Sequence, residues 1–484
     1  MPSWRFLEIP TKDPSPKPGM TSRANEAQAA LVQASPPLSP LTGFARYASP
    51  WRSRMMTVLT MRIPRKMIAL TNVLIRSATL GLRFLLSFYI IKYLGYDAAG
   101  VYGLTVGVTG ITPALIGWGL NYFVAREVVG MSPPEAALRI RNRLLITIAS
   151  LTLATVVMIL FSVFAHRTSA ALFVLIAILA WLETIALDLH LPLIGLGKAL
   201  EANILVFIRS AAWVPFIVGL GLAFPQLRSM EALLAAWIVA NAMALVLLGA
   251  MARKWDVGRI LSSQIDFDWI INRLRRSWHI YISDVSLVGL MYLDRYIVGI
   301  FLGLSATGIY TFFWSLSNSL QTLVSTAVVQ TALPTLVKAF SSEDRSAWKN
   351  AITVEFYKVI SISVGMALVI FAASEVALRY MSMQGLSEHR GLFLLLLAAS
   401  VLRACSDLGN VAMLSTQKDT SYAAINIIGV FLSTAMTSLG VAFYGLSGAG
   451  VAIFTTAIIL LLMRVWLLAG LLRPAASPRA GGKI

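Results

Sequence analysis

Long apolar stretches alternate with short polar segments along most of this chain. About twelve such stretches follow residue 66, and each is long enough, at roughly 20 residues, to cross the ~30 Å hydrocarbon core of a membrane as a helix. We therefore predict an all-α polytopic membrane protein. The predicted spans, numbered 1 to 12, are 67–91, 98–122, 143–165, 169–195, 202–224, 231–251, 278–303, 306–336, 351–373, 391–415, 421–443 and 446–471.

The first 66 residues have a different pattern, since they hold 10 of the 19 prolines and no apolar run typical of a signal peptide. We predict that they form a disordered, Pro-rich, basic cytoplasmic tail. The remaining organisation is predicted to be an N-terminal six-helix lobe (67–251), a cytoplasmic linker (252–277), a C-terminal six-helix lobe (278–471) and a cytoplasmic C-terminal tail (472–484).

Composition and charge agree with a membrane protein. Apolar residues make up 57% of the chain and charged residues 13%, which is too apolar a balance for a soluble enzyme. The net charge of +18 does not indicate a nucleic-acid partner, because the basic residues are dispersed between apolar stretches. With twelve spans, 28 lysines and arginines lie on one side of the membrane and five on the other. By the positive-inside rule both termini face the cytoplasm, where the basic residues contact anionic membrane lipids.

A nine-residue pattern occurs twice, at positions 208 residues apart. Residues 94–102 and 302–310 share the pattern L-G-x-x-A-x-G-[VI]-Y, and each copy joins the first two spans of a six-span block. Because each block has an even number of spans, both enter the membrane in the same direction and form a parallel repeat. Two-lobed transporters with this arrangement bind substrate between the lobes and work by alternating access.

Several segments resemble bacterial polysaccharide-unit flippases of the Wzx type, a branch of the MATE/MOP superfamily. These are R-F-L-L-S-F-Y-I-I-K-Y-L-G-Y-D-A-A-G-V-Y-G from residue 83, G-W-G-L-N-Y-F-V-A-R-E-V from residue 117, L-M-Y-L-D-R-Y-I-V-G-I-F-L-G at 290–303 and Y-G-L-S-G-A-G-V-A-I at 444–453. The resemblance covers roughly residues 67–470. It implies two six-helix lobes in the bacterial inner membrane that move an undecaprenyl-diphosphate-linked oligosaccharide from the cytoplasmic to the periplasmic leaflet.

Charged residues inside the predicted spans are the first candidates for a site, because a charge at the bilayer centre is costly unless it faces a cavity or a partner. Arg76 and Arg83 are seven residues apart and share one face of span 1. Guanidinium groups bind phosphate through paired hydrogen bonds, so this face is a candidate diphosphate site. The alternative is a structural role, in which both arginines pair with carboxylates of neighbouring helices.

Span 7 adds further candidates. Asp284 and Arg295 are eleven residues apart and share a face, whereas Asp294 points about 100° away. Asp294 and Arg295 form either a structural pair within the lobe or part of the ligand site. The 208-residue offset places Arg76 opposite Asp284, and we hypothesise an interlobe ion pair between them that closes the inner side.

Spans 4 and 10 hold the remaining candidates. Arg403 and Asp407 are four residues apart, which favours a local salt bridge, and Asn410 lies near them as a candidate sugar contact. Glu183 and His190 are seven residues apart on span 4 and form either a proton relay or a satisfied buried pair.

The sequence lacks the motifs of other energy sources and chemistries. The segment G-L-G-K-A at 195–199 has Pro192 and Ala199 where a phosphate-binding loop needs Gly and Ser or Thr. Zinc-ligand spacings and catalytic triads are absent, and the single Cys405 excludes a disulfide framework. We expect no cofactor, no metal and no enzymatic activity. Coupling is expected to use an H⁺ or Na⁺ gradient through the buried carboxylates.

Three functions remain open. The first is a lipid-linked oligosaccharide flippase that works beside polysaccharide polymerase machinery. The second is a MATE-type antiporter of organic cations, whose cavity would be dominated by carboxylates. The third is a membrane-embedded glycan polymerase, which needs a large outer loop. The longest predicted outer loop has only about 17 residues, at 374–390.

Overall fold

The described part of this computed structural model comprises residues 65–165, 169–252, 260, 262–341, 345–380, 384–416 and 419–472. These residues form helices joined by short turns, and they contain no β-strand. Ten of the helices are long and apolar enough to cross a membrane. Two of the ten are interrupted, one at Gly303 and one at Gly445, so the described residues contain twelve membrane-crossing segments. The prediction of an all-α polytopic membrane protein is confirmed.

The first six spans keep the predicted order, with revised ends. Span 1 is Arg65–Tyr89 followed by a π-helical turn at Ile90–Leu94, span 2 is Tyr96–Gly117, span 3 is Pro133–Ala165 and span 4 is Ala170–Gly195. Span 5 consists of Ala199–Phe207, a π-helical turn at Ile208–Ala212, and Val214–Ala223, and span 6 is Met230–Met251. A short helix, Leu120–Glu127, follows span 2, and a 3₁₀ turn, Pro225–Leu227, precedes span 6.

The second six spans have the same arrangement. Helix Phe267–Val324 bends at Gly303 into spans 7 and 8, and continues through the π-helical turn Ser325–Val329 and helix Gln330–Ser341. Span 9 is Arg345–Tyr380, a short helix at Gln384–Ser387 follows, and span 10 is Arg390–Ser415. Helix Asp419–Leu472 bends at Gly445 into spans 11 and 12.

Span 2 ends earlier than the sequence pattern indicates. The apolar run predicts a helix over 98–122, but Trp118 and Gly119 both adopt left-handed backbone conformations, with φ of 49° and 68°. A Cβ at Gly119 would lie 2.9 Å from the carbonyl oxygen of Ser277, so this turn lets span 2 end directly against span 7. The Trp118 ring stacks on Tyr281 at 5.2 Å. The break is therefore set by close packing that apolar content does not reveal.

Several predicted loops are shorter in the structure. The helix of span 7 begins at Phe267, so part of the predicted linker 252–277 is helical, and the Asp266 carboxylate caps it by accepting from the Trp269 N–H at 3.0 Å. The predicted outer loop 374–390 consists largely of the end of span 9 and a short helix. The predicted N-terminal tail, apart from Arg65 and Lys66, lies outside the described residues, as does the C-terminal tail from residue 473 onward.

Apolar side chains cover the outside of the helical bundle. Ile300 is 80% exposed and Phe216 is 73% exposed, values that are too high for core residues of a soluble protein. The interior also contains packed aromatic rings, such as Phe313 of span 8, which stacks on Phe393 of span 10 at 5.1 Å. An apolar exterior of this kind faces lipid.

The two copies of the repeated pattern contact each other reciprocally. A Cβ added at Gly100 would clash with the carbonyl oxygen of Leu304, and one added at Gly308 would clash with the carbonyl oxygen of Tyr96. Gly100 and Gly308 are 208 residues apart, as are Tyr96 and Leu304. The Ser305 hydroxyl also donates to the Asp97 carboxylate across the same offset. Spans 2 and 8 therefore touch at the end of the bundle where Gly95 and Gly303 turn the chain, and we call this contact the glycine closure.

Candidate functional site

A cavity of about 390 Å³ lies between the two six-span blocks, and we call it the interlobe cavity. It is lined by spans 1, 2, 4, 5 and 6 of the first block and by spans 7 and 8 of the second. Three arginines and one carboxylate line it: Arg83, Arg209, Arg295 and Glu183. Counted over the lining residues, the surplus is two positive charges, with the non-lining Asp294 carboxylate 3.9 Å from Arg295 Nε.

Arg295 of span 7 is fully buried in the cavity wall. Its guanidinium carbon lies 3.9 Å from the centroid of Trp314 and 4.9 Å from that of Tyr292. Its Nη1 donates to the carbonyl oxygen of Gly103 at 3.3 Å, but its Nε and Nη2 have no hydrogen-bond partner among the described residues. Aromatic faces hold this guanidinium in place while two of its nitrogens remain available to a ligand.

Asp294 does not neutralise Arg295 through a hydrogen bond. One oxygen of its carboxylate accepts from the backbone N–H of Arg295 at 2.8 Å, and the other accepts from the Tyr310 hydroxyl at 2.5 Å. The guanidinium Nε lies 3.9 Å from the carboxylate, which is beyond hydrogen-bond distance. The Asp294 carboxylate therefore links span 7 to span 8.

Arg83 reaches the same cavity from span 1. It precedes the end of the helix at Leu94 by eleven residues, about 17 Å along the axis, and so lies near the middle of a ~30 Å hydrocarbon core. Its side chain is exposed from the protein and forms no hydrogen bond or ion pair with the part of the chain that the structure describes. Arg83 and Arg295 thus place guanidinium groups of both blocks at one cavity.

Glu183 has other partners than the predicted one. It forms an ion pair with Arg209 and accepts from Trp237 Nε1 at 2.9 Å and from Asn241 Nδ2 at 3.1 Å. Arg209 lies on the π-helical turn of span 5, and wide turns of this kind often occur at functional sites. Sequence spacing gave Arg209 no role, because its partner lies 26 residues away on another span.

The predicted relay between Glu183 and His190 is not assembled. His190 lines a separate small pocket, and its Nδ1 is buried without a hydrogen-bond partner among the described residues. Positions on one helix face share a direction, but seven residues separate the two groups by about 10 Å along the axis. Tertiary partners, rather than the shared face, decide the environment of Glu183.

A second cavity of about 480 Å³ lies among spans 7, 8, 10, 11 and 12, with one residue from span 1, and we call it the C-lobe cavity. Its charged lining residues are Arg76, Arg403, Asp407 and Arg464. Met291, Asn318 and Thr322 line both cavities, so the two adjoin each other. The sequence did not predict a second cavity.

The predicted salt bridge between Arg403 and Asp407 is absent from the structure. Asp407 instead accepts from Gln321 Nε2 at 2.9 Å, and Arg403 forms no hydrogen bond or ion pair within the described ranges. Asn410 also lines the cavity, and its Oδ1 is buried without a partner there. The i,i+4 spacing allows the pair, but a side chain from span 8 takes the carboxylate.

Arg464 of span 12 was missed by sequence reasoning. It is 4% exposed, donates to the Ser406 hydroxyl and donates to Asn426 Oδ1 at 3.2 Å. Its Nε has no partner in the part of the chain that the structure describes. Its position within a predicted span was the available signal, because arginines there face cavities or partners.

The hypothesised ion pair between Arg76 and Asp284 is not formed in this conformation. Arg76 donates to the Thr326 hydroxyl of span 8 at 2.6 Å. Asp284 is exposed from the protein, lines neither of the two large cavities and forms no hydrogen bond within the described ranges. The 208-residue offset relates positions in the two blocks, but it does not by itself place them in contact.

A buried polar cluster joins spans 3 and 4 outside both cavities. Arg143 and Asp188 form an ion pair at 2.9 Å, with side chains that are 1% and 0% exposed. Arg143 also donates to Asn121 Oδ1 at 3.0 Å, and the Thr147 hydroxyl donates to Asp188. Arg143 lies at the edge of predicted span 3, so the sequence pattern did not indicate this pair, which fixes span 3 against span 4.

Comparison with known proteins now gives the family. The family described as "Polysaccharide biosynthesis protein" matches residues 68–340, which is more than half of the chain. The chain belongs to this family. The resemblance found in the sequence is thereby confirmed, and this family member is a multi-pass membrane protein. Comparison with curated protein sequences found no significant match.

Solved structures share the fold at low sequence identity. An inward-facing multidrug resistance MATE family transporter of the MOP superfamily is similar with a TM-score of 0.61 and 14% identity, over 85% of this chain and 100% of that chain. An outward-facing one gives a TM-score of 0.51 and 13% identity, over 85% and 97%. A MOP superfamily transporter from Pyrococcus furiosus, described by the reverse polarity of its binding pocket, gives 0.56 and 13%, over 84% and 96%.

Proposed function

We propose that this family member is a flippase that moves undecaprenyl-diphosphate-linked oligosaccharide units from the cytoplasmic to the periplasmic leaflet of a bacterial inner membrane. The observation that carries this proposal is the pair Arg83 and Arg295. They belong to different six-span blocks, line one interlobe cavity and have no hydrogen-bonded carboxylate among the described residues. Both guanidinium groups have N–H donors without acceptors among the described residues, and a diphosphate at this place provides the missing acceptors.

The remaining candidate residues extend this site. Arg209 adds a third guanidinium in the interlobe cavity, while Arg76, Arg403 and Asn410 line the adjoining C-lobe cavity and are assigned to contacts with the glycan. The lipid tails stay in the bilayer, since the outer surface of the spans is apolar. No enzymatic step is required, because the cargo leaves with the bonds it had on entry.

The conformation supports loading from the cytoplasmic side. The glycine closure joins spans 2 and 8 at one end of the interlobe interface, and the positive-inside rule assigns that end to the periplasm. The fold is also more similar to the inward-facing neighbour than to the outward-facing one, with TM-scores of 0.61 and 0.51. Alternating access then proceeds by opening the glycine closure after the substrate has entered.

We assign coupling to an H⁺ or Na⁺ gradient acting on the intramembrane ionisable groups Glu183, His190, Asp284, Asp294 and Asp407. Glu183 is the strongest of these, since its ion pair with Arg209 lies in the wall of the interlobe cavity. Neutralising its carboxylate frees the Arg209 guanidinium for an anionic substrate. Transfer of the glycan to polysaccharide polymerase machinery completes the proposed pathway.

Depletion of the protein in its native cell tests the function. We expect lipid-linked oligosaccharide to accumulate in the cytoplasmic leaflet, where a membrane-impermeant glycan-modifying reagent added outside does not reach it. Rescue with Arg379→Gln, a loss of one positive charge outside both cavities, restores labelling, whereas rescue with Arg83→Gln does not. Unchanged labelling of the lipid-linked glycan after depletion would overturn the proposal.

The alternative is a MATE-type antiporter of organic cations, which the shared fold permits. The surplus of two positive charges in the interlobe cavity repels cations, and this argues against it. We expect no export of cationic dyes by the wild-type protein. Dye export that depends on an ion gradient and improves in Arg83→Glu would favour the antiporter.

A further inference from the structure

The C-lobe cavity has its own set of charged and polar lining residues beside the interlobe cavity. The two have volumes of about 480 and 390 Å³ and share a wall at Met291, Asn318 and Thr322. A substrate whose diphosphate occupies the interlobe cavity therefore places its first sugars within reach of the C-lobe cavity. This placement of the substrate rests on the proposed flippase function.

Each cavity has its own surplus of positive charge. A diphosphate that links a lipid to a sugar carries two negative charges, and the interlobe cavity has a surplus of two positive charges. The C-lobe cavity has three arginines and one carboxylate, which is again a surplus of two. Since the diphosphate is already balanced, the second surplus remains for another anionic group of the same substrate.

Several polar atoms in the C-lobe cavity lack partners. Arg403 forms no hydrogen bond or ion pair with the described residues, and Asn410 Oδ1 and Arg464 Nε are buried without partners among them. Asn410 and Arg464 are 8% and 4% exposed. Buried polar groups are nearly always hydrogen-bonded in proteins, so these atoms point to a ligand that supplies both an acceptor and donors.

The neutral lining residues identify the ligand as a sugar rather than a second phosphate. Gln321, Asn410 and Tyr422 offer amide and hydroxyl groups that match the hydroxyls of a pyranose ring. The Asp407 carboxylate also accepts hydrogen bonds from sugar hydroxyls. A carboxylate on a sugar then satisfies the surplus guanidinium groups.

We propose that the C-lobe cavity binds an acidic sugar, of the uronic acid class, close to the diphosphate of the transported oligosaccharide. The substrate of this flippase is therefore an anionic glycan. Arg403 is the specificity-determining residue for the sugar carboxylate, and Arg464 supports it from span 12.

Binding of two matched probes tests this inference. The probes are polyprenyl-diphosphate-linked disaccharides that differ only in whether the second sugar is glucose or glucuronic acid, and affinity is measured on the full-length protein in detergent. A charge-assisted hydrogen bond changes affinity by about tenfold or more, so we expect the wild-type protein to prefer the acidic probe by at least about tenfold. In Arg403→Gln this preference falls below about threefold.

Matched variants separate this inference from the proposed function. Arg379→Gln removes one charge outside both cavities and keeps the full preference, whereas Arg83→Gln weakens both probes equally. Asn410→Asp adds a negative charge to the C-lobe cavity and weakens the acidic probe selectively, which gives a second variant should Arg403→Gln fold poorly. If the wild-type protein binds both probes with equal affinity and Arg83→Gln weakens that binding, the acidic-sugar inference alone is overturned. If Arg83→Gln leaves the binding of both probes unchanged, the proposed function is overturned.

Discussion

A single methyl group added at Gly100 or Gly308 is expected to open the glycine closure. In Gly100→Ala the new Cβ meets the carbonyl oxygen of Leu304, which is backbone and has no freedom to rotate away. Spans 2 and 8 must therefore separate for the methyl group to fit. Overpacking of this kind costs about 1–3 kcal/mol, which shifts the equilibrium toward the open state by about five- to 150-fold.

Disulfide cross-linking between spans 2 and 8 measures this shift. Asp97 and Ser305 are exposed and hydrogen-bonded to each other across the closure, so Asp97→Cys and Ser305→Cys form a cross-link when it is closed. The single native cysteine, Cys405, is buried and is replaced by Ser in this background. We expect rapid cross-linking with glycine at both positions, and slower cross-linking in Gly100→Ala and Gly308→Ala.

A matched control separates closure from folding. Gly219 lies in a helix of span 5 with no atom within 4 Å of the position that a Cβ would occupy, so Gly219→Ala leaves the cross-linking rate unchanged. All variants are compared by thermal unfolding in detergent before cross-linking. If the protein with Gly100→Ala unfolds normally and still cross-links at the original rate, the glycine contact does not close this end, and the reasoning is refuted.

Two further predictions concern stability. Arg143→Met leaves the buried Asp188 carboxylate unpaired and is expected to lower the free energy of unfolding by about 3–5 kcal/mol, whereas Arg379→Gln changes it by less than about 0.5 kcal/mol, as measured by denaturant unfolding in detergent. Similar unfolding of both variants would contradict a structural role for this pair. At the start of span 7, the Trp269 N–H and, secondarily, the Arg139 guanidinium hold the pKa of the Asp266 carboxyl below its usual value. The stabilisation by this cap is therefore present above the unfolded-state pKa of about 3.9 and is lost as pH falls through the lower folded-state pKa. Asp266→Ala should remove this pH dependence of stability and lower the free energy of unfolding by about 1 kcal/mol. An unchanged pH profile of stability in Asp266→Ala would contradict the cap.

The number and order of the spans could be predicted from the sequence because apolar length is a local property. The repeat was also visible, and the structure places its two copies in reciprocal contact at Gly100 and Gly308. Ends of spans were less predictable. Trp118 and Gly119 interrupt an apolar run, and the reason is the approach of Ser277 from a segment far along the chain.

The candidate site was predictable residue by residue but not pair by pair. Depth in the membrane follows from position in a span, and this is why Arg83 and Arg295 were found. Partners follow from tertiary packing. Glu183 pairs with Arg209 rather than His190, and Asp407 pairs with Gln321 rather than Arg403, because side chains on other spans approach more favourably than those on the same helix.

The most direct measurement of the central claim is translocation in reconstituted vesicles. Purified protein is incorporated into liposomes that contain a fluorescent polyprenyl-diphosphate-linked oligosaccharide, and an impermeant quencher reports how much of it each leaflet holds. Since the two arginines present N–H donors without acceptors at the interlobe cavity, we expect translocation by the wild-type protein and by Arg379→Gln, and none by Arg83→Gln or Arg295→Gln. Translocation at the wild-type rate by folded Arg83→Gln and Arg295→Gln proteins would contradict the account.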